Sequence, residues 1–578
     1  MNSGPLFRRL PSQRLTPSQS PPAAGFVLSG FWPPLSRWLS LITWVMVLLM
    51  VAPVVALLVE SGAGYIGLAP HDTTFAELAD TVLLTYSQNT ALVVSGAVLF
   101  ACALAILPAW WCAHYEFAGR RYLQWAMVFP LAIPAYISAY IYTDLLDYAG
   151  PVQQFLRQLF GWSSPQQYWF PDIRSRWGAS LMLALALYPY IYLLLRHAFS
   201  QRSEHLSQAA KTLGASPRRI FFTVELPLVR PALVIGCTLV AMESLADYGT
   251  VHLFAVSTLT TAVYDSWLVY GSLTTAAKIS CLMLLVVVLL ISGEKYQRQK
   301  QRHYDARNSG KTPKKVPAGL QRSLIIWLVC AIIFTFGFLY PVATLIHYSL
   351  TYASENANSA LWQHSQTTFL LAAIAATVAT LLALSLNARQ RFHPGIMART
   401  KLAMSSLGYT LPGTVLAIGI LIPLTQADLW LNRLLVSVDM ERVGLIFTGT
   451  SFALITAFVI RFAAISNGSL QAGYQKIPDN IDAASFTLGE NRTATFKRVH
   501  LPLLKPALVS SFLLVFIECV KELPASLLLR PFDFETLATY VFQYASDEHL
   551  EHAASGALLI IIVSLLPIAV LSRTQKMD

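Results

Sequence analysis

The chain has 578 residues, of which 55% are hydrophobic and only 12% charged, and its mean hydropathy is +0.53. That composition excludes a soluble globular protein and implies a multi-spanning membrane protein. It is all-α, because apolar runs of about 20 residues recur and lipid leaves an unpaired backbone no other helical option. The net charge of +11 does not imply nucleic acid, since Lys and Arg gather in the short connections between apolar runs, which is the positive-inside pattern.

Residues 1–37 lack a short apolar core followed by a small-residue cleavage site, and read as a disordered cytoplasmic tail leading into an uncleaved first span. A first half, 38–292, contains six candidate spans at 38–59, 90–112, 123–146, 178–198, 231–254 and 272–292. A basic linker, 293–323, follows. The second half, 324–578, contains six more at 324–348, 367–386, 402–424, 446–466, 506–528 and 553–572. Pro130 and Pro134 interrupt the third of these twelve, Pro412 the ninth and Pro524 the eleventh.

The linker is the most basic segment and is expected in the cytoplasm, which puts both termini on the same side. Within it, Asp305 to Thr312 resembles the end of a phosphate-binding loop, but Asp305 stands where the first glycine is required and no flanking strand or helix is evident. A solvated linker is the reading, and no nucleotide is expected to bind this chain. The six cysteines have no CxxC spacing, so neither a disulfide nor a metal is inferred from them. The outer loops, roughly 60–89, 147–177, 255–271, 349–366, 425–445 and 529–552, are too short for a substrate-binding domain, so capture of a solute requires another protein.

A polar segment recurs. Leu206 to Leu233 contains QAAKTLG and a later Leu226-Pro227, and Ile481 to Leu508 contains AASFTLG and a later Leu501-Pro502. The spacing that carries Gly214 onto Gly489 also carries Leu226-Pro227 onto Leu501-Pro502 and Glu243 onto Glu518. One spacing shared by so many positions implies two related halves. Each copy predicts a short helix, a turn and a second short helix at one membrane face. An ordinary connection that is duplicated only by ancestry is the plain alternative, but a plain connection has no need of this length and order twice.

The acidic residues near spans are Asp144, Asp147, Glu243, Asp247, Glu518 and Glu522. Carboxylates at that depth usually face a bundle interior or an aqueous path. With Tyr136, Tyr140, Tyr142 and Tyr248 they offer the oxygen ligands a hard cation prefers. They would equally serve as structural pairs, for example Glu522 with Lys521 or Arg530, or as helix caps. A stable metal site is not expected in a carrier that must release its cargo, and His252, His549 and His552 read as ordinary surface residues.

The QAAKTLG and AASFTLG segments, each with its later Leu-Pro, resemble the EAA loops of ATP-binding-cassette importer permeases. That resemblance implies a type I permease fold and docking of two ATPase subunits through Ala209, Ala210, Gly214, Leu226, Pro227, Ala483, Ala484, Gly489, Leu501 and Pro502. The consensus glutamate is replaced by Gln208 in one copy and Ala483 in the other, with Asp482 beside it. The stretches from Glu243 and from Lys521, with PAYISAYIYTDLLDYAGPVQ at 134–153, are similar to fused ferric-iron permeases. The resemblance therefore implies a non-catalytic inner-membrane subunit that imports ferric iron, with a periplasmic binding protein outside and ATP-Mg bound only by the partner ATPases. Glu243, Asp247, Tyr248, Glu518, Glu522, Tyr136 and Tyr140 are the candidate path residues. Fused thiamine permeases share the two-half layout, and an ion-gradient-driven secondary transporter using the same carboxylates is the reading from another class.

Overall fold

The computed structural model describes residues 35–63, 73–201, 204–299, 315–353 and 359–574. The phosphate-loop-like stretch 305–312, most of the tail and the last four residues lie outside the described residues. Among the described residues the regular structure is helical apart from one parallel pairing of Tyr115–Glu116 with Val316–Pro317. Eight helices are long and apolar enough to cross a membrane, and two bent pairs add two candidates. Two shorter apolar helices, Val47–Gly62 and Leu550–Leu566, complete a series that follows the expected spans in order.

The helices pack through small residues, as expected where lipid provides no hydrophobic drive for association. Leu83–His114 lies along Arg176–Ser200 through a stripe of Ala97, Ala101, Ala105 and Ala109, each 0% exposed. Gly96 allows the closest approach, since a Cβ there would stand 2.6 Å from Ser180 Oγ. The second half repeats the stripe with Ala375, Ala379 and Ala383 on Ser359–Phe392. The spacing that carries Ala97 onto Ala375 is slightly longer than the one that relates the two loops. Ser175 caps Arg176–Ser200 by accepting from the Gly178 amide, and Thr450, its equivalent under the loop spacing, caps Ser451–Gln475.

The structure corrects several expected boundaries. Gly413–Ser437 runs through much of the stretch expected as an outer loop. The fully buried Asp428 carboxylate holds the end of that helix, accepting from the amides of Ile446 and Phe447 at 2.8 Å and of Thr448 at 2.9 Å. The fifth and eleventh spans stop at Ala246 and Lys521, and the chain restarts as the short helices Gly249–Leu253 and Pro524–Leu529.

Within the expected outer loops 255–271 and 529–552 lie the helices Leu259–Leu268 and Leu537–Ser546, whose inner faces are buried. Capping boxes at Thr258/Thr261 and Thr536/Thr539 start both helices. Their first amides bond across to Thr90 Oγ1 at 2.9 Å and Thr368 Oγ1 at 2.7 Å. Buried backbone groups must find such partners, and short polar side chains on neighbouring spans supply them.

The first helix of each half lies against the other half. Leu35–Ala63 packs on Gly413–Ser437, with Gly419 against the Pro53 carbonyl, and Lys401 sets its ammonium 3.9 Å over the Trp44 ring. Conversely, Phe334 and Phe338 pack on Phe129 at 6.2 and 5.3 Å, and Trp327 Nε1 donates to Ala118 O at 2.9 Å. Gly419→Ala puts a Cβ 2.7 Å from Pro53 O and should cost about 1–3 kcal/mol by overpacking. The thermal midpoint of the purified chain should fall, whereas Gly468→Ala, with nothing within 4 Å, should leave it nearly unchanged.

Candidate functional site

The four breaks in the spans converge. The chain is extended at Pro134 and Pro412, with ψ of 135° and 145°, and again at Asp247 and Glu522, with ψ of 132° and 115°. Around these breaks lies a cavity of about 140 Å³ lined by residues of both halves. Of the seven candidate path residues, Glu243, Asp247, Glu518, Glu522 and Tyr136 line it. Tyr140 instead lines a separate pocket of about 350 Å³ with Asp144, Asp147, Arg174 and Glu548. Tyr248 is packed away against Tyr264 and Phe542, at 4.4 and 5.9 Å between ring centres.

Each carboxylate has a defined role in the geometry. Asp247 caps the short helix after it, accepting from the Thr250 amide at 2.9 Å and the Val251 amide at 3.3 Å. Glu522, at the equivalent position, accepts from the Ala525 amide at 3.2 Å and pairs with Arg461 Nε at 3.2 Å. Glu243 accepts from the Tyr409 hydroxyl at 3.3 Å, and Glu518 pairs with Lys521 at 2.9 Å. The expected partners for Glu522 are thus replaced, since Lys521 serves Glu518 and Arg530 pairs with Glu535.

The cavity is related by pseudo-symmetry but is not symmetric in charge. Under the spacing that relates Glu243 to Glu518, Arg461 and Lys521 correspond to Ala186 and Ala246 of the first half, both of which line the cavity. Both cavity cations therefore come from the second half. Arg461 Nη1 is buried and has no hydrogen-bond partner among the described residues. Sequence reading centred on acids missed Arg461, Tyr409 and Tyr190. The available signal was a lone Arg inside the apolar run 446–466, which is costly unless it is paired or lines a path.

The repeated segments form matching surface loops. Glu204–Thr212 and Asp479–Thr487 each end at a left-handed glycine, Gly214 with φ 80° and Gly489 with φ 86°. Such a φ favours a residue without Cβ. Ser216 and Asn491 then cap the next turn, and a π-helical turn follows at Phe221–Glu225 and Phe496–His500. Leu226-Pro227 and Leu501-Pro502 come directly after it. Leu213 and Leu488, at equivalent places, are 87% and 84% exposed. Ala209, Ala210, Ala483 and Ala484 are on the same surface turns.

Each loop is held to the C-terminal end of an equivalent span. Glu225 accepts from Trp110 Nε1 on Leu83–His114. In the second half Asp482 accepts from Arg391 Nε at 2.7 Å, at the end of Ser359–Phe392, and contacts His500 Nε2 at 2.8 Å. Burial by itself would raise the Asp482 carboxyl, but the hydrogen bonds from Arg391 and His500 hold it below the ordinary carboxylate value. The acid beside the expected glutamate position thus makes an internal anchor.

Residues 97–302 match the family of binding-protein-dependent transport system inner membrane components. The molybdenum transport system permease protein ModB of Escherichia coli is 30% identical over 209 residues, 35% of this chain and 87% of that protein. The chain belongs to this permease family. Relatives that match the permease over most of its length carry names for iron. The Fe(3+)-transport system permease protein FbpB 2 of Haemophilus influenzae is 24% identical over 493 residues, 84% of this chain and 89% of that one. The ferric transport system permease protein FbpB of Actinobacillus pleuropneumoniae is 25% identical over 503 residues, 82% of this chain and 69% of that one.

The geometry of the permease makes two of its ion pairs testable. Arg461→Met leaves Glu522 buried without its cation and should cost about 3–5 kcal/mol, whereas Arg461→Met with Glu522→Leu should recover much of the loss. Thermal unfolding of the four members of this cycle measures it, and an additive result would deny the pairing. Asp482→Asn should loosen the Asp479–Thr487 loop by about 1.5–3 kcal/mol, read as faster amide exchange there. Because the Asp482 carboxyl is depressed in the fold, its contribution is complete above the unfolded value and fades as pH falls through the folded one. Acidification should therefore lower the protection factors of the loop amides, exchange being referred to the intrinsic rate at each pH, in the parent chain and not in Asp482→Asn.

Proposed function

We propose that the chain is the translocation subunit of an ATP-driven importer of ferric iron. The observation that carries this reading is the cavity between the halves, lined by four carboxylates and by tyrosines as well as two cations. Oxygen donors of this kind suit a hard cation. The full-length relatives named for ferric iron support the same cargo. The volume of about 140 Å³ also favours an ion over thiamine, since sites that enclose drug-sized organic molecules measure about 300–1,000 Å³.

On this reading the first half, 38–292, and the second, 324–578, work as a pair in one chain. Both termini and both loops face the cytoplasm, where two ATPase subunits receive the exposed Leu213 and Leu488 and the turns around Ala209, Ala210, Ala483 and Ala484. Gly214 and Gly489 shape those turns, and Leu226-Pro227 and Leu501-Pro502 join them to the spans behind. Closure of the ATPases on ATP pulls the loops together, and the anchors at Trp110 and Arg391 carry that motion into the spans. A periplasmic binding protein delivers the ion at the opposite face. Hydrolysis takes place in the partner subunits, and the permease itself has no catalytic residue and no bound cofactor.

A second reading, import of an oxyanion, is favoured by one observation. Arg461 Nη1 is unpartnered beside the cavity, and the molybdenum permease is among the relatives. Uptake into vesicles containing the assembled importer distinguishes them. Labelled ferric iron should enter with ATP and the cognate binding protein, and Glu243→Gln with Glu518→Gln should reduce entry at least tenfold without changing the amount of permease. Entry of molybdate in its place would select the oxyanion. Uptake that ignores ATP and collapses with the proton gradient would sink both. Gly214→Glu and Gly489→Glu should abolish co-purification of the ATPase subunits while the spans still insert.

A further inference from the structure

The pocket at the non-loop end of the bundle has an unassigned cluster beside it. The helix Leu537–Ser546 ends in a turn with Glu548 at φ 60°, and a single 3-10 turn, Leu550–Ala553, follows. His549, just before this turn, and His552 within it bring their rings to 5.7 Å between centres, with Glu551 between them in the chain. Their ligand atoms, one from each of the three residues, all lie within 4.8 Å of one another. His549 Nδ1 is 3.4 Å and His552 Nε2 3.8 Å from the same oxygen, Glu551 Oε1.

We propose that His549, Glu551 and His552 bind a divalent first-row transition-metal ion at the outer mouth. A tetrahedral site with bonds of about 2.1 Å needs donor atoms about 3.4 Å apart, so the observed separations close with small side-chain rotations. Three protein ligands leave open positions for water. Two imidazoles and one carboxylate favour a borderline divalent ion over ferric iron, which prefers oxygen alone. Such a site is independent of the cargo. The cluster belongs to the second half alone. Under the spacing that carries Thr258 onto Thr536, the equivalent positions of the first half are Gly271, Leu273 and Thr274, none of which offers such a ligand.

The site has a mechanical consequence. Tyr140, from the first half, donates to the Glu548 carbonyl at 2.9 Å and reaches Glu551 Oε2 at 3.3 Å. A metal bound to Glu551 draws electron density from that carboxylate and competes with the Tyr140 contact. Occupancy of the site thus weakens a link between the halves at the outer mouth.

The test uses the full chain in lipid nanodiscs with Co2+ alone as probe, followed by its visible absorption and by equilibrium binding. One saturable ion per chain is expected, displaced by Zn2+. Affinity should fall at least tenfold in the double variant His549→Ala and His552→Ala, and in Glu551→Gln. Zn2+ X-ray absorption on the parent chain should report two imidazole nitrogens. No saturable binding, undiminished binding in well-folded variants, or a shell without imidazole would overturn the site. Tyr140→Phe should tighten Co2+ binding, and unchanged affinity there would overturn the coupling between the halves.

Discussion

A chain that leaves helical geometry inside a membrane exposes backbone amides and carbonyls that lipid cannot satisfy. Among its described residues this permease does so at Pro134, Asp247, Pro412 and Glu522, and the rest of the architecture answers that constraint. Asp247 and Glu522 satisfy amides of the helices that restart after them. Irregular backbone at such depth is tolerated where it lines a polar cavity, and here the breaks of the two halves border one cavity. The carboxylates thus have a structural task and a surface task together. Asp247 is largely committed to capping, and Glu522 divides its oxygens between a cap and Arg461.

The exchange of first helices makes the two halves mechanically interdependent. Pro53 rests on Gly419 and Pro130 on Gly337, so relative movement of the halves repacks small-residue contacts. Contacts of that kind suit two discrete arrangements better than continuous deformation. The surface loops lie at the ends of the same spans whose inner faces carry the alanine stripes. A pull on a loop is transmitted along a rigid helix toward the breaks. The charge asymmetry, with Arg461 and Lys521 from one half only, means that the halves share a frame and not a chemistry.

Much of the architecture was legible because hydropathy and duplication are local properties. The spans, the two loops and the correspondence of Glu243 with Glu518 follow from runs of side chains and a fixed spacing. That spacing is not uniform. It is slightly longer toward the two ends of each half, where Thr90 maps onto Thr368 and Thr258 onto Thr536, than in the middle, where Gly214 maps onto Gly489. A comparison at one fixed spacing therefore passes over the alanine stripes and the paired threonine caps. The buried helices Leu259–Leu268 and Leu537–Ser546 were hidden by their mixed polarity, since the groups that tie them to the spans, Thr90 and Thr368, are far away in sequence.

By itself, the sequence determined that this is a helical membrane protein of two related halves with matching surface loops, because lipid demands long apolar runs and glycine with a left-handed φ has few substitutes. Only the tertiary structure decided which charges meet. Arg461 of one span meets Glu522 of another, and Asp482 of the second loop meets Arg391 at the end of Ser359–Phe392. An ion pair depends on close approach between groups that can be far apart along the chain. That approach is set by how the broken helices cross, and by no local pattern of side chains.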